Sequence, residues 1–368
     1  MKRLTALLLS AVLAMSLFGC GSTGSADSGS TDSAPADSTE ETAEEAAPAA
    51  ASGEVFKWRM ASMLTTQDPM YQPVLDTLDR IRERTDGNVD IEFYPDSQLG
   101  DYTAAFGEVM RGTIEMYQMT PASQYDPTVD LLALPYLSTD YESAKKIYSA
   151  GNKFYDMMDE VYTNLNTHLI GFFPDGFHSL GFAKDPGDYL DFATNNNLLM
   201  RVPPAEVYQL EGESFGYRTS AIAWNDVYTS LQTGIVDGYI GCSTRYCYTS
   251  FGDQTKYLIR TNDVLEAQAL CCNMDAWNSL PAEYQDIITE EMLALIDMTY
   301  EEMEAIEDDY LEKIANDYGC VVVEPDSEEL EKLAEKIRAG VWPTVLANYD
   351  KDTMNDIFAD IGVDYTVE

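Results

Sequence analysis

The sequence predicts an α/β fold in more than one lobe, on three observations. From Val55 onward, stretches of alternating apolar residues are separated by stretches with helical spacing. The first of them run strand, helix, strand, helix, strand, which implies a parallel sheet with right-handed crossovers. The chain has 368 residues, 45% of them hydrophobic. That is more than one usual compact unit and enough apolar side chain for two cores.

Each element follows from a local pattern. Val55-Phe56-Lys57-Trp58-Arg59-Met60 alternates as a strand. Val74, Leu75, Leu78 and Ile81 then recur at helical spacing, and Gly87 stands where a helix stop belongs. Val89, Ile91 and Phe93 form a second strand closed by Pro95, residues 102–111 a helix stopped by Gly112, and residues 114–119 a third strand. Ligands of such sheets bind at the carboxyl ends of the strands. Residues 141–162 read as one further helix, and residues 169–173 as a short strand entering Pro174-Asp175-Gly176-Phe177-His178. Residues 198–203 are an apolar strand with one charge in it, Arg201. Residues 224–233 form a short helix ended by Gly234.

Residues 282–318 read as a single helix, with Ser279 as its cap, Pro281 in its first turn and Gly319 at its end. Such a helix would be about 55 Å long at about 1.5 Å per residue, longer than one small lobe. Residues 321–323 add a strand, two amphipathic helices close the chain, and no internal repeat is present.

The N-terminus is a processing signal. Lys2 and Arg3 precede an apolar stretch, residues 4–18, shorter than the ~20 residues a membrane span needs. It ends in Leu17-Phe18-Gly19-Cys20, which resembles the bacterial lipobox, where cleavage leaves a lipid-modified cysteine. Residues 1–20 are therefore expected to be a lipoprotein signal. Residues 21–54, rich in Ser, Thr, Ala and Glu, are expected to be a disordered tether. Five further cysteines remain, Cys242, Cys247, Cys271, Cys272 and Cys320. Their odd number argues against a full disulfide framework, and they read as structural thiols. Two histidines and no HExxH give no metal spacing, and no cofactor motif stands out.

Charge excludes one broad class. The chain carries 22 basic and 64 acidic residues, a formal net charge of −42. Binding to a phosphate backbone needs basic patches, so nucleic acid is excluded. Docking on anionic lipid is disfavoured for the same reason. An anionic small ligand is compatible with this charge, since exposed charges are largely screened beyond about 8 Å at physiological salt.

Four stretches carry a family resemblance: IEFYPDSQLGDYTAAFGEVMRGTIEM from Ile91, LLALPYL from Leu131, LLMRVPP from Leu198 and AWNDVYTSLQTGIVDG from Ala223. On these the chain resembles the DctP-type solute-binding proteins of tripartite ATP-independent periplasmic (TRAP) transporters. The resemblance runs from Val55 nearly to the C-terminus. It implies a two-lobed periplasmic-binding-protein-like fold with a ligand cleft between the lobes and a long helix in the C-terminal half bridging them. Lobe I would hold residues 55–174 plus about 267–305, and lobe II residues 175–266 plus about 306–368. The chain would cross between lobes near Phe173 and again within residues 264–268. Ligand would close the lobes, and the closed form would dock on the membrane subunits.

The resemblance also implies the site. It places Arg201 on the carboxylate of a small organic acid, which a guanidinium fork fits with two parallel hydrogen bonds. His178 falls where many members have a second arginine, and Trp224 aligns with a pocket aromatic. Thr120 would face the cleft from lobe I. Where the family often has an asparagine this chain has Gly241, and Tyr239, Arg245 and Tyr246 nearby could replace its contacts. One arginine, a histidine and aromatics suit a monocarboxylate; a dicarboxylate would prefer a second fixed cation. The expected protein is thus an extracytoplasmic lipoprotein delivering an acid to TRAP membrane subunits, and not an enzyme. The competing readings are a binding lipoprotein of an ATP-driven (ABC) importer and a ligand sensor.

Overall fold

Two mixed β-sheets, each backed by helices, organise the chain from Val55 onward. The computed structural model describes residues 55–193 and 197–368. The expected signal, Cys20 and the tether all lie outside the described residues.

The first part of the chain runs β1 (Phe56–Ser62), α1 (Tyr71–Arg84), β2 (Val89–Tyr94), α2 (Tyr102–Met110), β3 (Met116–Met119), a 3-10 helix (Pro127–Ala133), α3 (Tyr141–Tyr148), α4 (Lys153–Asn164) and β4 (Thr167–Phe177). It continues through β5 (Leu180–Phe182), β6 (Leu199–Val202), α5 (Glu206–Ser214), β7 (Arg218–Ala221), α6 (Trp224–Gln232), β8 (Gly238–Tyr239), α7 (Thr244–Phe251) and β9 (Tyr257–Ile259). The last elements are β10 (Leu265–Asn273), α8 (Met274–Ser279), α9 (Ala282–Tyr318), β11 (Val321–Val323), α10 (Ser327–Leu346) and α11 (Lys351–Ile361).

The sheet of lobe I has the order β2-β1-β3-β10-β4. β1 is parallel to β2 and β3, as the alternation of strands and helices requires. β10 is antiparallel to both β3 and β4, so the sheet is mixed. The reason is connectivity: β4 runs out of this sheet toward the other lobe and β10 returns, so the pair must run in opposite directions. The second sheet has the order β11-β9-β5-β8-β6-β7, with β6 parallel to β7 and β8, and β5 antiparallel to β8 and β9.

β4 stays paired with β10 as far as Phe177 opposite Leu265. The first crossing therefore lies between Phe177 and Leu180, a few residues beyond the Phe173 expected from the sequence. Here the His178 N–H donates to Val264 O at 2.8 Å, tying the two crossing segments together. Gly176, at φ 107°, has a conformation that disfavours a side chain, and a Cβ there would stand 2.6 Å from Glu307 Oε1.

Helix α9 has the bounds its apolar spacing predicts, and Gly319 ends it in the left-handed conformation at φ 68°. It packs on α1, α3 and β4 of lobe I and on α7 and β11 of lobe II, which makes it the bridge. Two local expectations are corrected. Ser279 does not cap α9; its hydroxyl donates to Ala276 O within α8, and Pro281 occupies the N-cap. The helix expected over residues 141–162 is two helices, because Gly151 at φ 102° breaks it and Asn152 caps α4 by accepting from Tyr155 N. Near the end of the chain, α10 packs on α5 and α11 on α4. The five described cysteines are free and buried, and desolvation pushes up the Cys271 and Cys272 thiols.

Candidate functional site

Arg201 occupies β6, between Ser220 of β7 and Tyr239 of β8. Its side chain is 1% exposed. Nε donates to Ile222 O at 2.9 Å, and Nη1 to Ile240 O at 3.2 Å and Gly241 O at 3.4 Å. These carbonyls hold the guanidinium plane from one side. Among the described residues no carboxylate forms an ion pair with it, and Nη2 has no protein partner. Desolvation accordingly pulls its pKa down. A buried guanidinium without an anion is costly, so this arrangement favours an anion arriving from outside the chain.

The guanidinium fronts a recess of about 370 Å³, a figure that includes space open to solvent. Thr120 and Tyr102 wall it from lobe I, Tyr208, Trp224 and Tyr246 from lobe II, and Glu266 from the crossing strand β10. Arg201 lies 5.9 Å from the centre of the Trp224 ring, which in turn meets Tyr246 edge-on at 5.4 Å. Burial pushes the Tyr102 phenol up to about 12 and those of Tyr208 and Tyr246 well above their ordinary value. All three keep their protons and can donate. The Tyr246 hydroxyl is buried beside Gln268. A second recess, of about 510 Å³ with the space open to solvent included, shares Tyr102, Thr120, Pro203, Tyr208 and Glu266 with the first.

The residues singled out from sequence divide into two groups. Arg201, Trp224 and Thr120 line the cavity. His178, Tyr239 and Arg245 stand behind its wall. His178 is buried, with Nε2 2.9 Å from Glu266 Oε2. The Tyr239 hydroxyl pairs with Thr255 Oγ1 at 2.9 Å, and its ring covers Gly181, where any side chain would collide with it. Arg245 is fully buried between two carboxylates, Asp68 at 2.5 Å and Asp175. Desolvation raises both carboxyl pKa values, while the guanidinium opposes that rise. The positive charge of Arg245 is therefore matched inside the chain, by one residue of the β1–α1 loop and one of β4.

Tyr102, Tyr208, Asp175 and Glu266 are among the wall residues that the sequence does not single out as site residues. For Glu266 a signal existed, as the one charged residue in the apolar strand LEAQALCCN where the chain was expected to cross between lobes. Tyr102 opens α2, at the helix end that faces the cleft in folds of this kind. Among the described residues no group of three or more His, Cys, Asp or Glu is placed to hold a metal ion, and no helix is long and apolar enough to cross a membrane.

The class this architecture defines is a two-lobed binding protein with a ligand cavity between its sheets. A family model described as bacterial extracellular solute-binding protein, family 7 (DctP) matches residues 60–344, and the chain belongs to that family. The family is one of extracytoplasmic binding proteins rather than enzymes. The chain is 26% identical over 215 residues to the C4-dicarboxylate-binding periplasmic protein DctP of Rhodobacter capsulatus, covering 56% of this chain and 62% of that protein. It is 22% identical over 280 residues to an ectoine/5-hydroxyectoine-binding periplasmic protein of Ruegeria pomeroyi, covering 73% and 78%. The fold matches that of a TRAP periplasmic solute-binding protein from Desulfovibrio salexigens with bound orotic acid. The TM-score is 0.75 at 22% identity, over 84% of this chain and 98% of that one. A sugar acid binding protein from Advenella mimigardefordensis in complex with galactonate gives a TM-score of 0.76 at 18% identity, over 84% and 98%.

Proposed function

We propose that the protein is the solute-binding component of a TRAP transporter, which captures a small organic acid by its carboxylate and delivers it to the membrane subunits. The single observation that carries this is Arg201: a fully buried guanidinium on a cavity wall, bonded to carbonyls and to no carboxylate. A ligand carboxylate supplies the missing anion. The acids bound by the structural relatives agree with the reading, as does membership of the family.

The acid is a monocarboxylate. A second carboxylate would need a second available cation, and Arg245 is already matched by Asp68 and Asp175. The expected lobes, residues 55–174 plus about 267–305 and residues 175–266 plus about 306–368, are kept with two changes: the first boundary moves to the Phe177–Leu180 crossing, and α11 goes with lobe I because it packs on α4. Bound ligand touches both lobes in the closed form alone and shifts the population toward it. The mature protein is held at the outer face of the cell membrane by a lipid on Cys20, with residues 21–54 as the tether.

The test is a thermal-shift screen of the soluble part, from Val55 onward, against organic acids, repeated on Arg201→Ala and Arg201→Lys. Charge-assisted hydrogen bonds contribute about 1.5–3 kcal/mol each, so Arg201→Ala should weaken binding at least about tenfold. Arg201→Lys should recover part of that, since an ammonium lacks the fork. Lowered stability without ligand combined with undiminished affinity would move Arg201 out of the site.

A further inference from the structure

We propose that Glu266 is a second specificity determinant of the cavity and that it selects an acid bearing a cationic nitrogen, so that the solute is a zwitterion. This rests on the reading of Arg201 as the carboxylate anchor and narrows the class of acid.

Glu266 is the single charged residue of β10, a strand buried along its whole length. Its side chain is 10% exposed. One carboxylate oxygen, Oε2, lies 2.9 Å from His178 Nε2, which fixes the group in place. The other, Oε1, is buried and has no hydrogen-bond partner. The residue lines both recesses. A buried carboxylate oxygen lacking a donor is unfavourable by the same argument that applies to the open side of Arg201. The cavity thus has one unmatched cationic group and one half-matched anionic group. A ligand satisfying both carries a carboxylate at one end and a donor at the other.

Charge decides what kind of donor. Among the described residues, Arg201 is the only basic side chain lining either cavity, whereas Glu266, Asp175 and Asp130 are acidic. Of these, Asp175 faces Arg245. A plain anion on Arg201 brings a further negative charge close to Glu266 and leaves the acidic excess standing. A hydroxyl would satisfy the geometry of Oε1 and do nothing for its charge. An ammonium, or another protonated nitrogen, supplies both the N–H and the opposite charge, and charge-assisted bonds are the stronger ones.

The experiment compares matched ligands on the purified protein, by melting temperature and calorimetry. The probes are 2-, 3- and 4-amino acids, each set against the hydroxy acid of the same carbon skeleton. At least one amino acid should raise the melting temperature and bind about tenfold or more tightly than its hydroxy counterpart. Glu266→Gln should erase most of that preference, and Arg201→Ala should weaken both members of the pair. Hydroxy acids binding as well as or better than every amino acid, with binding still lost in Arg201→Ala, would overturn the zwitterion while leaving the carboxylate anchor in place. A preference for the amino acid that survives in folded Glu266→Gln would remove Glu266 from the role. If no member of the panel binds, or if binding is indifferent to Arg201→Ala, both readings fall. The wild-type comparison decides the ligand class even where Glu266→Gln does not fold.

Discussion

Replacing Arg245 by methionine tests whether its charge is matched within the fold. The guanidinium, wholly buried, faces Asp68 Oδ1 at 2.5 Å and Asp175, both themselves fully buried. Asp68 also accepts from Met70 N at 2.8 Å, and Asp175 accepts from Ser243 Oγ at 3.4 Å. Arg245→Met leaves these weaker contacts and strands two carboxyl groups out of water. Breaking a buried pair by removing one partner costs about 3–5 kcal/mol. At about 2.1 cal/mol/K per residue over the roughly 310 folded residues, this corresponds to a fall in melting temperature of roughly 5–8 °C. The pH dependence has a definite sign. Desolvation already raises both carboxyl pKa values, and loss of the guanidinium raises them further. A carboxyl raised in the folded state contributes stability below its unfolded pKa and loses it as pH rises through its folded pKa. The deficit of the variant should therefore be larger at pH 8 than at pH 5. Calorimetric melting of both proteins at the two pH values measures it. Adding Asp68→Asn and Asp175→Asn to Arg245→Met should restore much of the loss, because no charge is then stranded. A single variant as stable as the parent at both pH values would refute the assignment of the trio as a matched structural cluster.

Two other expectations can be checked directly. Burial pushes the Glu307 carboxyl up to about 7, opposed by the hydrogen bond from the Tyr141 hydroxyl at 2.6 Å; stability from this group should fall between about pH 4.5 and 7, by about 3 kcal/mol at most. Glu307→Gln, which keeps an acceptor for Tyr141, should raise the melting temperature relative to the parent at pH 8 and not at pH 4.5. In the N-terminal segment, Cys20→Ser should block signal processing or release the protein from membranes, which cell fractionation shows; membrane association and processing unchanged in the variant would exclude the lipid anchor.

What could be read from the sequence, and what could not, follows the range of the interactions concerned. The bounds of α9 were legible because helical spacing and a glycine stop act within a few residues of one another. The break at Gly151 is equally local, but apolar residues at helical spacing continue on both sides of it, so periodicity alone reads through the glycine. The antiparallel insertion of β10 into the first sheet was not legible, since its contact with β3 joins distant residues, as in the side-chain hydrogen bond from Gln118 to Gln268, 150 positions apart. The site obeys the same rule more sharply. Arg201 and Glu266 are each the one charged residue of an apolar strand, and sequence flags such groups without telling what becomes of them. Arg245 meets its carboxylates 177 and 70 positions away, and is matched within the fold. Glu266 meets His178 across 88 positions, on one of its two oxygens. Arg201 meets carbonyls only. A buried charge matched by the fold can be held without a ligand, whereas one left unmatched is costly until an opposite charge from outside the chain meets it. The cavity lies where the unmatched ends of Arg201 and Glu266 face the same space, and that coincidence, invisible in either residue's neighbourhood along the chain, is what gives the site a chemical direction from anion to cation.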